Sequence, residues 1–156
     1  FGGHQAAAGL SMEKSKFEEF KIKFEKVVSE KIKDYQKEPT LLIDTDIDID
    51  GLNRDFYNFL KKLAPFGPHN MKPVLVLKNQ TVSGLVKTMG KENNHIKFYL
   101  KQESTGRSIE CVGFKLGKFA DDFREKNFDI AFTIEENHWK GNVTYYLNLK
   151  DVKFHA

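Results

Sequence analysis

The stretch from Val74 to Leu100, VLVLKNQTVSGLVKTMGKENNHIKFYL, constrains the fold more than any other part of the chain. It holds a long β-branched run, a Gly-Lys-Glu-Asn-Asn turn and a second strand. In that second strand Ile96, Phe98 and Leu100 alternate with His95, Lys97, Tyr99 and Lys101. A period of two sends the first set toward a core and the second toward water. An outward set that interleaves cations with a ring suits a single strand of nucleic acid, because bases stack on rings and phosphates pair with lysines. The plain alternative is a solvated strand face with one incidental tyrosine.

The rest of the C-terminal half repeats this grammar. Strands are expected near 74–89, 94–102, 107–115, 128–137 and 142–154, with turns at Gly90–Asn94, Ser104–Gly106 and Lys140–Asn142. Between the third and fourth lies a helical segment, Lys118–Lys126, with Phe119 and Phe123 one turn apart. A first strand this long, with Gly84 at its centre, predicts a strand that bends to serve both halves of a small barrel. The helix between strands three and four completes the order of an OB-fold. The competing five-stranded barrel, of the SH3-like kind, lacks that helix.

Upstream, residues 13–37 predict a helix. Phe17, Phe20, Phe24, Val27, Val28, Ile32 and Tyr35 recur at helical spacing and form an expected core stripe. Ser15 and Glu18 offer a capping box, and Ser11 a competing start. Residues 40–50, TLLIDTDIDID, resemble the opening of a calcium loop, but Tyr57 stands at the twelfth position, where a bidentate Glu is required. A strand with Leu42 and Ile47 inward and its carboxylates in solvent is the better reading. Asp50-Gly51 then leads into a helix near Asn53–Leu63, with Phe56, Phe59, Leu60 and Leu63 on one side. APFGPHNMKP holds three of the four prolines and reads as a stiff linker. The expected organisation is therefore α+β: an α/β piece over 1–64, a linker over 65–73 and an all-β domain over 74–156.

Charge supports this division weakly. Residues 1–70 carry 11 Lys+Arg against 12 Asp+Glu, while residues 71–156 carry 14 against 10. The C-terminal half is the better partner for a polyanion. A single Cys111 in an apolar run rules out an intramolecular disulfide framework and fits a reducing compartment. No apolar run reaches membrane-spanning length, and no secretion leader is evident, so the chain is expected to be cytoplasmic and away from membranes. Without that leader, the Asn-x-Thr triplets at Asn79 and Asn142 are expected to be irrelevant to glycosylation. The chain opens on Phe1 rather than Met, which is read as a piece of a longer protein or a processed product.

The opening FGGHQAAAGL admits two readings. Gly2-Gly3-His4 could bring backbone close to a phosphate at the start of a helix, or His4 could simply cap that helix. Four segments in order then resemble one family. FGGHQAAAGL is similar to the Gly-Gly-His-x-x-Ala-Ala-Gly signature of the DHH-associated domain. APFGPHNMKPV, GKENNHIKFYL and NHWKGNVTYYLNLKDVKF resemble the linker, second barrel strand and final hairpin of RecJ-type single-stranded-DNA exonucleases. His69 departs from that pattern, standing where the linker usually has Gly.

The resemblance implies the end of a DHH-associated domain followed by a five-stranded OB-fold barrel. It implies a function in holding single-stranded DNA for 5′-to-3′ cleavage in repair and recombination. The catalytic DHH domain, with its divalent metal (Mg or Mn), lies outside this chain, so no cofactor and no catalytic residue is expected here. The five histidines (His4, His69, His95, His138 and His155) are scattered with no ligand spacing, and the piece alone is expected to be inactive. Gly2, Gly3 and His4 would grip a substrate phosphate. Lys97, Tyr99, Lys101 and His95 on strand two, Arg107 opening strand three, and Lys87 and Lys91 around the first turn would hold DNA. Trp139 and Tyr146 on the last hairpin would stack bases. The expected partners are single-stranded DNA, the missing DHH domain and other repair proteins. A protein-docking barrel, or a piece of a DHH-family phosphodiesterase acting on short RNA or dinucleotides, are the alternatives.

Overall fold

Leu77, Ile96, Phe98, Leu100, Phe128, Ile130 and Phe132 are all 0% exposed, and each occupies an alternate position of a strand. The core is thus one face of a curved sheet closed on itself, as the period of two requires. The computed structural model describes residues 1–4, 7–32 and 39–155. They divide into two units, Phe1–Leu41 and Leu42–Ala156.

In the second unit the elements run β3 (Thr45–Asp46), α2 (Arg54–Lys61), β4 (Leu75–Gln80), β5 (Lys87–Met89), β6 (His95–Lys101), β7 (Ser108–Gly113), α3 (Ala120–Glu125), β8 (Phe128–Trp139) and β9 (Asn142–Phe154). Sheet order is β3-β4-β8-β9-β7-β6-β5, with β7 parallel to β9. β4 pairs with β8 and β5 with β6, so the two halves of one chain segment border both ends of the sheet. Between them Asn79 (φ 51°) and Gly84 (φ 87°) turn the backbone, and Ser83 N donates to Tyr99 O at 2.8 Å. That break closes the barrel, in the connectivity of an OB-fold with its helix between the third and fourth barrel strands. The expected five strands become seven segments, because the first barrel strand is split and β3 adds a parallel edge to β4.

The boundary between units also differs from expectation, falling at Leu41/Leu42 rather than in the 65–73 segment. The reason is hydrogen bonding. Asp44 N donates to Val74 O, Ile47 N to Val76 O, and Val74 N to the Asp44 carboxylate, which stitches residues 44–47 to β4. Buried Gln102 then donates to the carbonyls of Ile49 and Leu52. Ile47 packs on the core as expected, but Leu42 is 85% exposed and lies just ahead of the stitched stretch. The three aspartates are engaged locally: Asp46 pairs with Lys78, Asp48 accepts from Asp50 N, and Asp50 accepts from Ser104 N. Asn53 caps α2 by accepting from Phe56 N, and α2 buries Tyr57 rather than Phe59 or Leu63. Within 65–73, Asn70 donates to the carbonyls of Leu63 and Pro65. His69 takes φ 67°, the left-handed region that favours the Gly of the resembling linkers.

In the first unit β1 (Gly2–His4) pairs antiparallel with β2 (Ala7–Gly9), and α1 spans Phe17–Lys31. The helix start expected at Gly2-Gly3-His4 is therefore not formed there, and the residues just after it, 5 and 6, lie outside the described ones. Gly3 is dictated by this ribbon, since a Cβ there would meet Ala7 O and Ala8 Cα at 2.6 Å. α1 is entered through a 3-10 turn at Lys14–Lys16 with no side-chain cap, so the Ser15/Glu18 box is not made. The expected core stripe is not buried within this unit. Phe17, Phe24, Val27 and Val28 are exposed and Phe20 is half-buried, while Tyr35 lies outside the described residues.

One glycine in the barrel fixes a loop of interest. Gly117 N donates to Asn94 O, and a Cβ on Gly117 would meet Asn93 O at 2.1 Å. Gly117→Ala is expected to push away the turn that carries Lys91 and to cost about 1–3 kcal/mol, the usual range for forcing atoms into packed space. Chemical denaturation of the parent and the variant measures this.

Candidate nucleic-acid interface

The outward phases of β6, β7, β9 and β8 line up in rows that the strand pairings fix. Tyr99 faces Glu110, Glu110 faces Tyr146, and Tyr146 faces Glu135. One row therefore alternates ring, carboxylate, ring, carboxylate across four strands. The adjacent row holds Lys87, Lys97, Val112 and Asn148. Lys101, opposite Ser108, begins the next. Tyr99 is 37% exposed, so its ring reaches solvent rather than being covered by another element. Its hydroxyl donates to Glu110 Oε2 at 3.1 Å, which holds the ring in place.

Two carboxylates temper the cationic character of this face. Lys97 Nζ sits 2.6 Å from Glu110 Oε2, and the carboxylate raises the lysine pKa. Lys72 sits 2.6 Å from Glu135 Oε2, and Thr133 donates to the other oxygen of Glu135. Burial, seconded by Glu135, pushes the Tyr146 hydroxyl pKa upward, so the ring stays neutral.

At one end of the face the β8–β9 hairpin projects Trp139, 68% exposed, with Lys140 Nζ 5.9 Å from its ring centroid. Lys140 (φ 47°) and Gly141 (φ 81°) both have the positive φ of a tight hairpin turn. The ring is presented to solvent rather than folded onto the barrel. At another edge Lys91 stands exposed in the Gly90–Asn94 turn.

The structure does not bring all the expected residues together. Arg107 falls on the opposite phase of β7 from Glu110 and lines a separate groove beside Tyr57 and Tyr145. The Nδ1 of His95 accepts from Lys115 N at 2.9 Å while its ring meets Phe114 edge-on, so the residue braces a turn and keeps only Nε2–H as a donor. Gly2, Gly3 and His4 belong to the first unit, in an exposed ribbon. Residues absent from the expectation are Glu110, Lys140 and Phe114. Glu110 had a legible outward phase on β7, but its place between two tyrosines depends on the parallel pairing with β9. Among the described residues no group of three or more His, Cys, Asp or Glu is arranged to hold a metal ion. No helix among them is long and apolar enough to cross a membrane.

Comparison with known proteins agrees with this geometry. A family model described as the RecJ OB domain matches residues 43–151. The single-stranded-DNA-specific exonuclease RecJ of Bacillus subtilis is 22% identical over 152 residues, covering 97% of this chain and 19% of that protein. The RecJ of Thermus thermophilus is 26% identical over 153 residues, covering 98% and 21%. The crystal structure of the Thermus thermophilus RecJ in complex with Mn2+ superposes with a TM-score of 0.68 at 23% identity, covering 97% of this chain and 21% of that one. The chain thus spans about a fifth of the length of these relatives. With the barrel's connectivity and a match across most of its length, the chain belongs to the RecJ OB domain family.

Proposed function

We propose that this chain is the single-stranded-DNA-binding and positioning part of a RecJ-type 5′-to-3′ exonuclease acting in DNA repair and recombination in the cytoplasm. Residues 1–41 are then the end of its DHH-associated domain. The observation that carries the reading is the row of Tyr99 and Tyr146 across three adjacent strands, flanked on one side by Lys87 and Lys97, with an exposed Trp139 four positions along β8 on the other side. Rings on alternate strands, about 10 Å apart, each receive a base, and the neighbouring lysines receive the backbone. Gly2, Gly3 and His4 would contact a substrate phosphate in the whole enzyme. The aspartates at 46, 48 and 50 are committed to local bonds, so they do not fit a catalytic metal pair. The divalent ions of such an enzyme, Mg or Mn, would be held by a DHH domain outside this chain.

Titrating a labelled single strand into the chain at two salt concentrations tests this. Affinity is expected to fall with salt at a log–log slope of about −0.7 per phosphate contact. Absent or salt-insensitive binding would instead favour a protein-docking barrel.

The Glu110–Lys97 pair adds a sharper expectation. Glu110→Gln frees Lys97 for one more phosphate, so the slope is expected to steepen by about 0.7 and binding to tighten about five-fold at 0.1 M salt. Glu103→Gln, remote from Lys97 in the pairing register, is the control for a general change of charge. Weaker binding by the Glu110 variant would show that the carboxylate contacts DNA itself.

A further inference from the structure

A second concave surface lies on the opposite phase of β7 and β9, where the end of the barrel meets α2. This groove, about 360 Å³, is lined by Arg54, Arg107, Tyr57 and Tyr145 among others, and none of the described residues lining it is Asp or Glu. That separates it chemically from the Tyr99 row, where Glu110 and Glu135 occupy the lysines. The nearby carboxylate of Glu136 is taken up by Lys61, His138 and the Tyr57 hydroxyl.

The groove is built rather than incidental. Gln102, 4% exposed, donates through Nε2 to the carbonyls of Ile49 and Leu52, just ahead of Arg54. Its Oε1 accepts from Thr105, its backbone N donates to Arg107 O, and its carbonyl accepts from Gly106 N. One buried side chain therefore fixes both the segment leading to Arg54 and the turn leading to Arg107. Tyr57 is buried with its ring 3.8 Å, centroid to centroid, from that of the half-buried Tyr145, which gives the same groove an aromatic wall.

We infer that this groove is a nucleotide-binding subsite, with Arg54 and Arg107 taking a phosphate and the Tyr57/Tyr145 wall taking the base. Guanidinium forks match phosphate oxygens, and every base offers a face to an aromatic ring. The site is distinct from the Tyr99 row, and it stands or falls independently of that reading.

Isothermal titration of the chain with deoxyadenosine 5′-monophosphate and with inorganic phosphate tests it. The Arg54→Gln/Arg107→Gln variant is expected to lose on the order of ten-fold or more in affinity for the mononucleotide, since charge-assisted bonds are removed. Both arginines are exposed, so the variant is expected to melt with the parent. Lys118→Gln, which removes a cation outside the groove, is expected to leave mononucleotide binding unchanged. Mononucleotide binding that survives the double substitution, or is lost equally in Lys118→Gln, would overturn the assignment. Inorganic phosphate binding as tightly as the nucleotide would overturn its base-stacking half.

Discussion

Phe123→Ala is expected to destabilise the barrel by about 3–5 kcal/mol, the range for emptying a buried aromatic position. Phe123 is 1% exposed and is the residue through which α3 plugs the barrel. Its ring lies 4.9 Å from Phe98, 4.8 Å from Phe128 and 4.9 Å from Phe154, centroid to centroid, with the last two edge-on. Those partners come from β6, β8 and β9, so one truncation removes support from three strands at once. Rigid sheet backbones limit how far the walls can relax into the void. A domain typically holds only about 5–15 kcal/mol in all, so the loss is a large part of the total. Phe119→Ala, at a half-buried site one turn earlier, is expected to cost less. Urea denaturation of the three proteins gives the order. A cost under about 1 kcal/mol for Phe123→Ala would mean that the helix does not close the barrel.

What could be read in advance followed from periodicity, and what could not depended on pairing. The alternation in 95–101 placed Ile96, Phe98 and Leu100 inward and Tyr99 outward, as the structure has them. The bend at Gly84 and the helix carrying Phe123 were legible for the same local reasons. Period says which face a residue occupies but not which strand lies beside it. The parallel pairing of β7 with β9 sets Glu110 against Tyr146, thirty-six positions apart by their numbering, and no local pattern announces it. Arg107 is different, because counting back by twos from buried Cys111 already sets it on the phase opposite Glu110. The stripe on α1 shows the limit from the other side. Its spacing marks a face suited to burial, yet Phe17 and Phe24 are exposed in their own unit. The boundary at Leu41/Leu42 was hidden because it rests on the bonding of residues 44–47 to β4, with Asp44 held by Val74 thirty positions on, and no local pattern announces that pairing.

Tyr99→Ala is expected to weaken single-strand binding by roughly 5- to 150-fold, the equivalent of about 1–3 kcal/mol for one stacked base. Two substitutions separate the ring from its hydroxyl. Tyr99→Phe keeps the stacking surface and loses only the bond to Glu110, so it is expected to retain most of the affinity. Trp139→Ala is expected to cost a similar amount to Tyr99→Ala, because the hairpin tip presents that ring to solvent beside Lys140. Tyr99 and Trp139 lie on different strands that share no pairing, so their effects are expected to add if one strand of DNA touches both. Both side chains are surface groups, and their removal is expected to change stability by no more than about 0.5 kcal/mol. The measurement is fluorescence anisotropy of a labelled oligonucleotide at fixed salt, alongside a melting curve for each variant. Binding by Tyr99→Ala within two-fold of the parent, with the fold intact, would remove the tyrosine row from the binding face. A double variant no weaker than either single one would show that the two rings do not make independent stacking contacts with the strand, because independent contacts lose binding energy additively.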